Sequence, residues 1–503
     1  MRSHLTGQNI ADTSRQPGNR RSAGRPRRAV VLGGSLAGLL TACVLADHVD
    51  EVVVVDRDDL SAELTAPRRG VPQARHTHGL LVSGAQALER LLPGLTQSLQ
   101  ARGALRADVL GRSRWLMGGN VLSSVDSGLV GMLASRTLIE AEVRRRVTAT
   151  PEVSLLGGYD VAGLLAGPDR SRVVGAIVVP RDGGSRLELT ADLVVDATGR
   201  GSRAPVWLEQ LGYEAPPEER VEAQIAYVTR LFEGRQGVLD DLDADIVGSV
   251  PGSLASGVAL RQEGGRWTVT LAGARGEQPP ADLEGFAAYA RTLPTPGIAE
   301  IATNCRPVGE PEGFRYPASQ WRHWEKLDRR PLGFVVLGDA VCSFNPVYGQ
   351  GMSSAALQVE ALRDLLAAGG GRASDAVLDA LPLESARALA RVAATPWALA
   401  TGSDRRMPGM PAKPLPERLL DRYLDRLLAV AAGDAAVTVA FGRVLNLLAA
   451  PPSLLAPRVA WRVLGPRSWA AVRRSRPGQS AGGVAGAPAA TAAGAGKASF
   501  ADL

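Results

Sequence analysis

Continuous apolar runs dominate the first part of the chain. Residues 28–32 hold one such run, Ala29 to Leu32, closed by Gly33-Gly34-Ser35, and a Leu- and Ala-rich stretch follows over 36–46. A short run bounded by turn residues predicts a strand buried on both faces, and the next stretch predicts a helix. Glu51-Val52-Val53-Val54-Val55-Asp56 repeats the strand signal and completes a βαβ unit. A loop rich in Pro, Arg and Gly at 66–75 precedes helical patterns at 80–92 and 136–147. Leu193-Val194-Val195-Asp196 predicts a further strand, running into the turn Ala197-Thr198-Gly199-Arg200-Gly201-Ser202-Arg203. From about 205 to 330 the pattern changes to alternation, as in Gln224-Ile225-Ala226-Tyr227-Val228-Thr229 and Trp267-Thr268-Val269-Thr270-Leu271. Alternation of period two predicts an antiparallel sheet.

The buried-run texture returns at Phe334-Val335-Val336-Leu337, so the alternating segment reads as an insertion. Residues 351–370 predict a long helix, and a helical region follows. Within it Leu419, Leu420, Tyr423, Leu424, Leu427 and Leu428 make one apolar stripe opposite Asp421, Arg422, Asp425 and Arg426. The stripe is read as packing onto the body, with contact to a lipid surface or a partner as the sharper alternative. The expected fold class is α/β. A Rossmann-like, three-layer nucleotide domain occupies 28–204 and 331–370, interrupted by a substrate-domain sheet at 205–330. A helical region covers 371–470, and 1–27 and 471–503 read as a disordered leader and tail.

Charge changes this picture little. The 503 residues carry a net charge of +6, but residues 1–28 hold seven Arg against one Asp, and residues 458–503 hold seven basic residues against Asp502. The body between them is net acidic and shows no basic stripe with interleaved aromatics, so no nucleic-acid partner is expected. Cys43, Cys305 and Cys342 are too widely spaced for a disulfide framework or a zinc site. The leader lacks an apolar core, so it is not a secretory signal, and a reducing cytoplasm is expected. Ala29 to Ala46 is free of charge for 18 residues, but a Gly-Gly-Ser turn in mid-run argues against a membrane span. No transmembrane segment is expected.

The chemistry lies in two strand-to-turn junctions. In the first, a strand runs through Gly33-Gly34-Ser35 into a helix containing Gly38, a geometry that turns backbone N–H groups and a helix dipole toward a pyrophosphate. Asp56 stands 23 residues after Gly33, near the spacing at which an acid accepts hydrogen bonds from an adenosine ribose. The second junction, Leu337-Gly338-Asp339-Ala340, places a carboxylate at a strand end about 300 residues later. Two anchors suit a long dinucleotide, and FAD fits better than NAD. A second glycine cluster, Gly252 to Gly257, follows Pro251 rather than a strand and reads as a loop, so no separate nicotinamide-binding unit is expected.

Residues 338–355, Gly-Asp-Ala-Val-Cys-Ser-Phe-Asn-Pro-Val-Tyr-Gly-Gln-Gly-Met-Ser-Ser-Ala, together with the first junction, Ser135-Arg136 and Asp196 to Arg203, carry a family resemblance. Over roughly 28–370 the chain resembles the single-component FAD-dependent monooxygenases of the p-hydroxybenzoate hydroxylase fold. The stretch Pro67-Arg68-Arg69-Gly70-Val71-Pro72-Gln73-Ala74-Arg75-His76-Thr77-His78-Gly79 resembles the bacterial branch that includes polyether epoxidases. The resemblance implies FAD as cofactor and NADPH or NADH as co-substrate. One atom of O2 would be inserted into a small organic, secondary-metabolite substrate through a flavin C4a-hydroperoxide. It implies that Gly33, Ser35 and Gly38 hold the pyrophosphate, Asp56 the adenosine ribose, Arg136 the phosphate or ribityl region, and Asp339 the ribityl hydroxyls, with Arg57 a further cofactor-binding residue. Pro346, Gly349 and Gly351 would form the turn beneath the flavin ring.

Cys342 stands where many relatives carry His, and Ser353 where many carry Asn. No catalytic residue is assigned, since His323 is the only histidine of the substrate segment. His76 and His78 lack the acidic or thiol companions of a metal site. Trp321 and Trp324 lack the Ile-Pro that follows the paired tryptophans of flavin halogenases. Arg68, Arg69 and Arg75 are either flavin- or substrate-facing or solvated loop charges. An FAD-dependent reductase of isoprenoid-type double bonds and a non-catalytic flavin-binding protein are the alternatives.

Overall fold

The computed structural model describes residues 26–61, 66–248 and 250–466. The expected disordered leader and tail lie almost wholly outside the described residues. The apolar runs form a five-stranded parallel sheet in which Arg28–Leu32 is central. It is flanked by Glu51–Asp56 and then Val153–Gly157 on one side, and by Leu193–Asp196 and then Phe334–Val336 on the other. Every residue from Ala29 to Leu32 is fully buried, so both faces of the sheet are covered. Helices Leu36–Ala46 and Gly351–Ala367 pack together in the helical layer, and the antiparallel strands Tyr159–Ala166, Val173–Pro180 and Leu187–Thr190 supply the third layer.

The alternating segment forms a seven-stranded sheet around Ile225–Glu233, which pairs antiparallel with Arg266–Ala274 and Arg306–Tyr316. The sheet is not confined to the expected 205–330 span. Ser113–Met117 pairs in parallel with Ala244–Val247, and Asn120–Val121 extends it. Those two strands come from the segment assigned to the nucleotide domain, because pairing across 131 residues leaves no local signal. A small sheet of Glu218–Val221, Ser319–Arg322 and Cys342–Ser343 ties the insertion back to the returning nucleotide unit. Gly252 to Gly257 is a turn entering the strand Ala255–Gln262, not a strand-to-helix junction.

Helix Asp375–Asp404 runs 30 residues against Gly351–Ala367. Helices Leu415–Ala431, Ala435–Leu445 and Pro457–Leu464 close a separate core around Leu427, Leu428, Val437, Phe441, Val444 and Val463. Among the described residues no helix is long and apolar enough to cross a membrane.

Candidate functional site

The first junction folds as a tight turn whose glycines are required sterically. Gly33 has φ +100°, and a Cβ there would stand 2.5 Å from the Ala197 carbonyl oxygen. A Cβ on Gly38 would stand 1.8 Å from the Gly33 carbonyl oxygen, so only glycine lets the helix start this close to the turn. Ser35 is the N-cap of helix Leu36–Ala46 but makes no side-chain capping bond, which leaves first-turn amides open. Its hydroxyl instead donates to Glu140 (3.0 Å) and accepts from Arg136 Nη2 (2.9 Å).

Asp56 and Arg136 meet here, but Asp56 is already engaged. Its Oδ2 accepts the Gly34 N–H at 2.6 Å, and its Oδ1 accepts the Asp58 N–H at 2.8 Å and Arg68 Nη1 at 3.2 Å. A carboxylate has about four lone-pair sites, so one remains for a ligand. Arg57 lies apart from the cluster: its side chain is mostly solvent-exposed, 3.7 Å from Asp160.

Behind the turn stands a buried charge cluster that the sequence reading missed. Arg68, with its side chain 2% exposed, donates to Glu140 Oε1 through Nε (2.9 Å) and Nη2 (2.7 Å), and to the Gly34 carbonyl (3.0 Å). Arg144 joins Glu140 at 3.2 Å. Burial pushes the Glu140 carboxyl up, but the guanidinium charges of Arg68, Arg136 and Arg144 outweigh it and hold it below the usual carboxylate range. The available signal was the i,i+4 spacing of Arg136, Glu140 and Arg144 on one helix. Of the other loop arginines, Arg69 is exposed and Arg75 pairs with Glu312 at the surface.

At the second junction Asp339 sits half-buried, and among the described residues its carboxylate accepts no hydrogen bond. Burial raises its pKa, opposed by the positive charges of Arg136 and Arg200. Arg136 is itself nearly buried; its Nε stands 4.0 Å from Glu140 and makes no hydrogen bond among the described residues. His78 faces the same space, its Nδ1 2.9 Å from the His76 carbonyl; burial and the Arg136 charge lower its pKa to about 3, so it is neutral at physiological pH.

Pro346 and Gly349 belong to a turn from Asn345 to Gln350, with Gly349 at φ +66°. Gly351 opens the following helix, whose N-cap Gln350 makes no side-chain capping bond. Cys342 is buried in the core, where burial raises its thiol pKa well above the usual value. Ser353 is also buried: its hydroxyl accepts the Leu81 N–H at 3.2 Å, and a Cβ on Gly84 would meet it at 2.3 Å, so it packs two helices together.

The same turn floors a cavity of about 710 Å³. Its walls are the His76–Leu81 loop, the sheet face carrying Tyr227, Thr270 and Ala272, and the C-terminal helix residues Leu420, Leu424 and Leu428. The lining is mainly apolar, the composition of a site for a small hydrophobic molecule. His76 Nδ1 lies 2.9 Å from the Thr229 hydroxyl, and burial and the Arg75 charge lower its pKa to about 4. The buried Tyr227 hydroxyl has no hydrogen-bond partner among the described residues. Trp321, Trp324 and His323 do not line the cavity; Trp321 stacks on His323 with ring centres 4.6 Å apart.

Comparison with known proteins follows this geometry. The fold is that of the FAD-binding monooxygenases. It matches p-nitrophenol 4-monooxygenase PnpA of Pseudomonas putida at TM-score 0.57, with 20% identity over 84% of this chain and 98% of that one. It matches PqsL of Pseudomonas aeruginosa, a probable FAD-dependent monooxygenase, at TM-score 0.55, with 18% identity over 76% and 97%. In sequence, Protein Rv3254 of Mycobacterium tuberculosis is 35% identical over 444 residues, covering 84% of this chain and 90% of that protein. The chain belongs to the same family as Protein Rv3254. Kynurenine 3-monooxygenase of Salinispora tropica is 28% identical over 70% of this chain and 75% of its own length. No family model matches the chain.

Proposed function

We propose that the protein is a cytoplasmic FAD-dependent monooxygenase, an epoxidase or hydroxylase. It would use NADPH or NADH to insert one atom of O2 into a small, mainly apolar organic substrate. The observation that carries the reading is the Asp339 carboxylate. It stands half-buried near the positive charges of Arg136 and Arg200, with no hydrogen bond from the described protein. A half-buried carboxylate with no protein donor keeps its lone pairs open to a ligand, and ribityl hydroxyls are suitable donors.

The remaining residues fit the same group. Gly33 and Gly38 let strand, turn and helix close up where a Cβ would strike backbone oxygens, and the open amides of helix Leu36–Ala46 suit a pyrophosphate. Arg136, whose Nη2 reaches Ser35 and whose charge acts on Asp339, would supply positive charge between the two anchors. The uncapped start of helix Gly351–Ala367 directs its positive end toward the cavity floor, where it would stabilise negative charge on a reduced ring. When bound, the flavin supplies hydride acceptance and oxygen activation. The protein orients the substrate and excludes water, through the Leu420, Leu424 and Leu428 wall. His76 is neutral at physiological pH and is available to accept a hydrogen bond or a proton from a substrate in the cavity.

The experiment is an absorption spectrum of the purified protein, then NADPH addition with and without oxygen. Flavin bands bleached by NADPH and restored by air, with O2 consumed on each cycle, are expected. A protein that cannot be reconstituted with FAD refutes the cofactor, and bleaching reversed by substrate without O2 uptake refutes the oxygenase in favour of a reductase.

A further inference from the structure

More than half of the large apolar side chains left exposed among the described residues lie on the C-terminal helices that help wall the cavity. Eleven large hydrophobic residues remain exposed among the described residues, and six of them (Leu415, Leu419, Leu420, Leu455, Trp461 and Leu464) lie on the last helices and the turn between them. Two hydrogen bonds hold these segments together: Tyr423 hydroxyl to the Leu454 carbonyl and Arg426 Nε to the Val463 carbonyl, both 2.6 Å. Leu420 and Leu455 also line the cavity, so this surface continues into it. Trp461 is 73% exposed. Apolar side chains clustered in this way mark an interaction site.

Charge decides the kind of partner. The acids of this face are mostly neutralised: Asp421 by Lys413 (2.9 Å), Asp425 by Arg406, and Asp434 by Arg462 (2.8 Å). Arg418, Arg422 and Arg458 are exposed and make no ion pair among the described residues; Glu417, half-buried in the cavity wall, is the one acid of these helices without an ion pair there. Onward along the chain, residues 458–476 contain six Arg and no acid. A second copy of the chain placed on this face in two-fold symmetry would set the same arginines against each other. An anionic lipid surface offers both hydrocarbon for Trp461 and the leucines and negative charge for the arginines.

We propose that this face seats the protein on an anionic membrane surface, with the cavity mouth turned to the lipid so that an apolar substrate enters without crossing water. The substrate route rests on the monooxygenase reading; the docking surface does not.

The test is co-sedimentation of the full-length protein with vesicles of mixed phosphatidylglycerol and phosphatidylcholine, against pure phosphatidylcholine. Binding to the anionic vesicles alone is expected. It should weaken as the screening length falls from about 10 Å at 0.1 M salt to about 3 Å at 1 M. The triple variant Arg418→Gln, Arg422→Gln, Arg458→Gln should bind about 100-fold more weakly, at about fivefold per arginine. The double variant Trp461→Ser, Leu464→Ser should also lose binding. These positions are exposed, so the variants should match the parent in circular dichroism. Equal binding to both vesicle types overturns the proposal. So does unchanged binding by both variants, or a dimer in light scattering that the double variant dissociates. Vesicle binding by a protein that cannot take up FAD would sustain this inference while removing the cofactor reading.

Discussion

Asp404 ends the 30-residue helix and is fully buried. Its Oδ1 accepts hydrogen bonds from the Tyr348 hydroxyl (2.7 Å) and Asn345 Nδ2 (3.0 Å), so it clamps the turn that floors the cavity. Its Oδ2 has no partner, and no cation pairs with it among the described residues. Burial therefore raises its pKa to about 6, against the opposing hydrogen bonds. An unfolded aspartate titrates near about 3.9, so the shift of about two units corresponds to about 3 kcal/mol. The folded protein holds this proton more tightly than the unfolded chain. The stabilisation is therefore complete below about pH 4 and is lost as pH rises through about 6. Asp404→Asn keeps a carbonyl acceptor and does not titrate. Relative to the parent, it should gain up to about 3 kcal/mol between about pH 4 and pH 8, read as a pH-dependent difference in melting temperature by scanning calorimetry. The desolvation of the new amide is the same at every pH and drops out of that comparison. A difference in melting temperature that stays constant with pH refutes the buried, unpaired carboxylate.

Three further outcomes are expected. Gly38→Ala places a methyl group 1.8 Å from the Gly33 carbonyl oxygen, so the turn must open and the protein should purify without bound flavin; a fully yellow variant refutes the cradle. Asp339→Ala should lose FAD with little change in melting temperature of the flavin-free protein, and full FAD retention on gel filtration counts against the ribityl assignment. Glu140→Gln leaves Arg68 and Arg144 buried without their shared countercharge, which should cost about 3–5 kcal/mol; a loss below about 1 kcal/mol in denaturant titration at neutral pH would show the cluster to be incidental.

Features coded within a few residues were legible in the chain. The βαβ unit needs only an apolar run, glycines where a Cβ cannot fit, and a second run. The observed strands Arg28–Leu32 and Glu51–Asp56 follow that reading directly. The helix Arg136–Thr148 and the alternating strands of the insertion followed from periodicity in the same way. Asp339 and the Asn345–Gly351 turn were found because they sit in one continuous motif. Arg68 was visible only as one of three loop arginines, since what distinguishes it is Glu140, 72 residues away. Asp404 carried no signal at all, because its partners Tyr348 and Asn345 lie 56 and 59 residues before it.

The sequence alone therefore determined the class of fold and the two strand-to-turn junctions, because backbone sterics and strand or helix periodicity act over a few residues. Tertiary structure decided everything that depends on distant segments meeting. It brought Arg68 and Glu140 behind the glycine turn and spent most of the Asp56 carboxylate on that turn and on Arg68. It laid Ser113–Met117 beside Ala244–Val247. It also divided the Leu419–Leu428 stripe, burying Leu427 and Leu428 in a core while leaving Leu419 and Leu420 exposed, Leu420 on the cavity wall. An amphipathic helix specifies that it has an apolar face; only the packed chain specifies what that face meets.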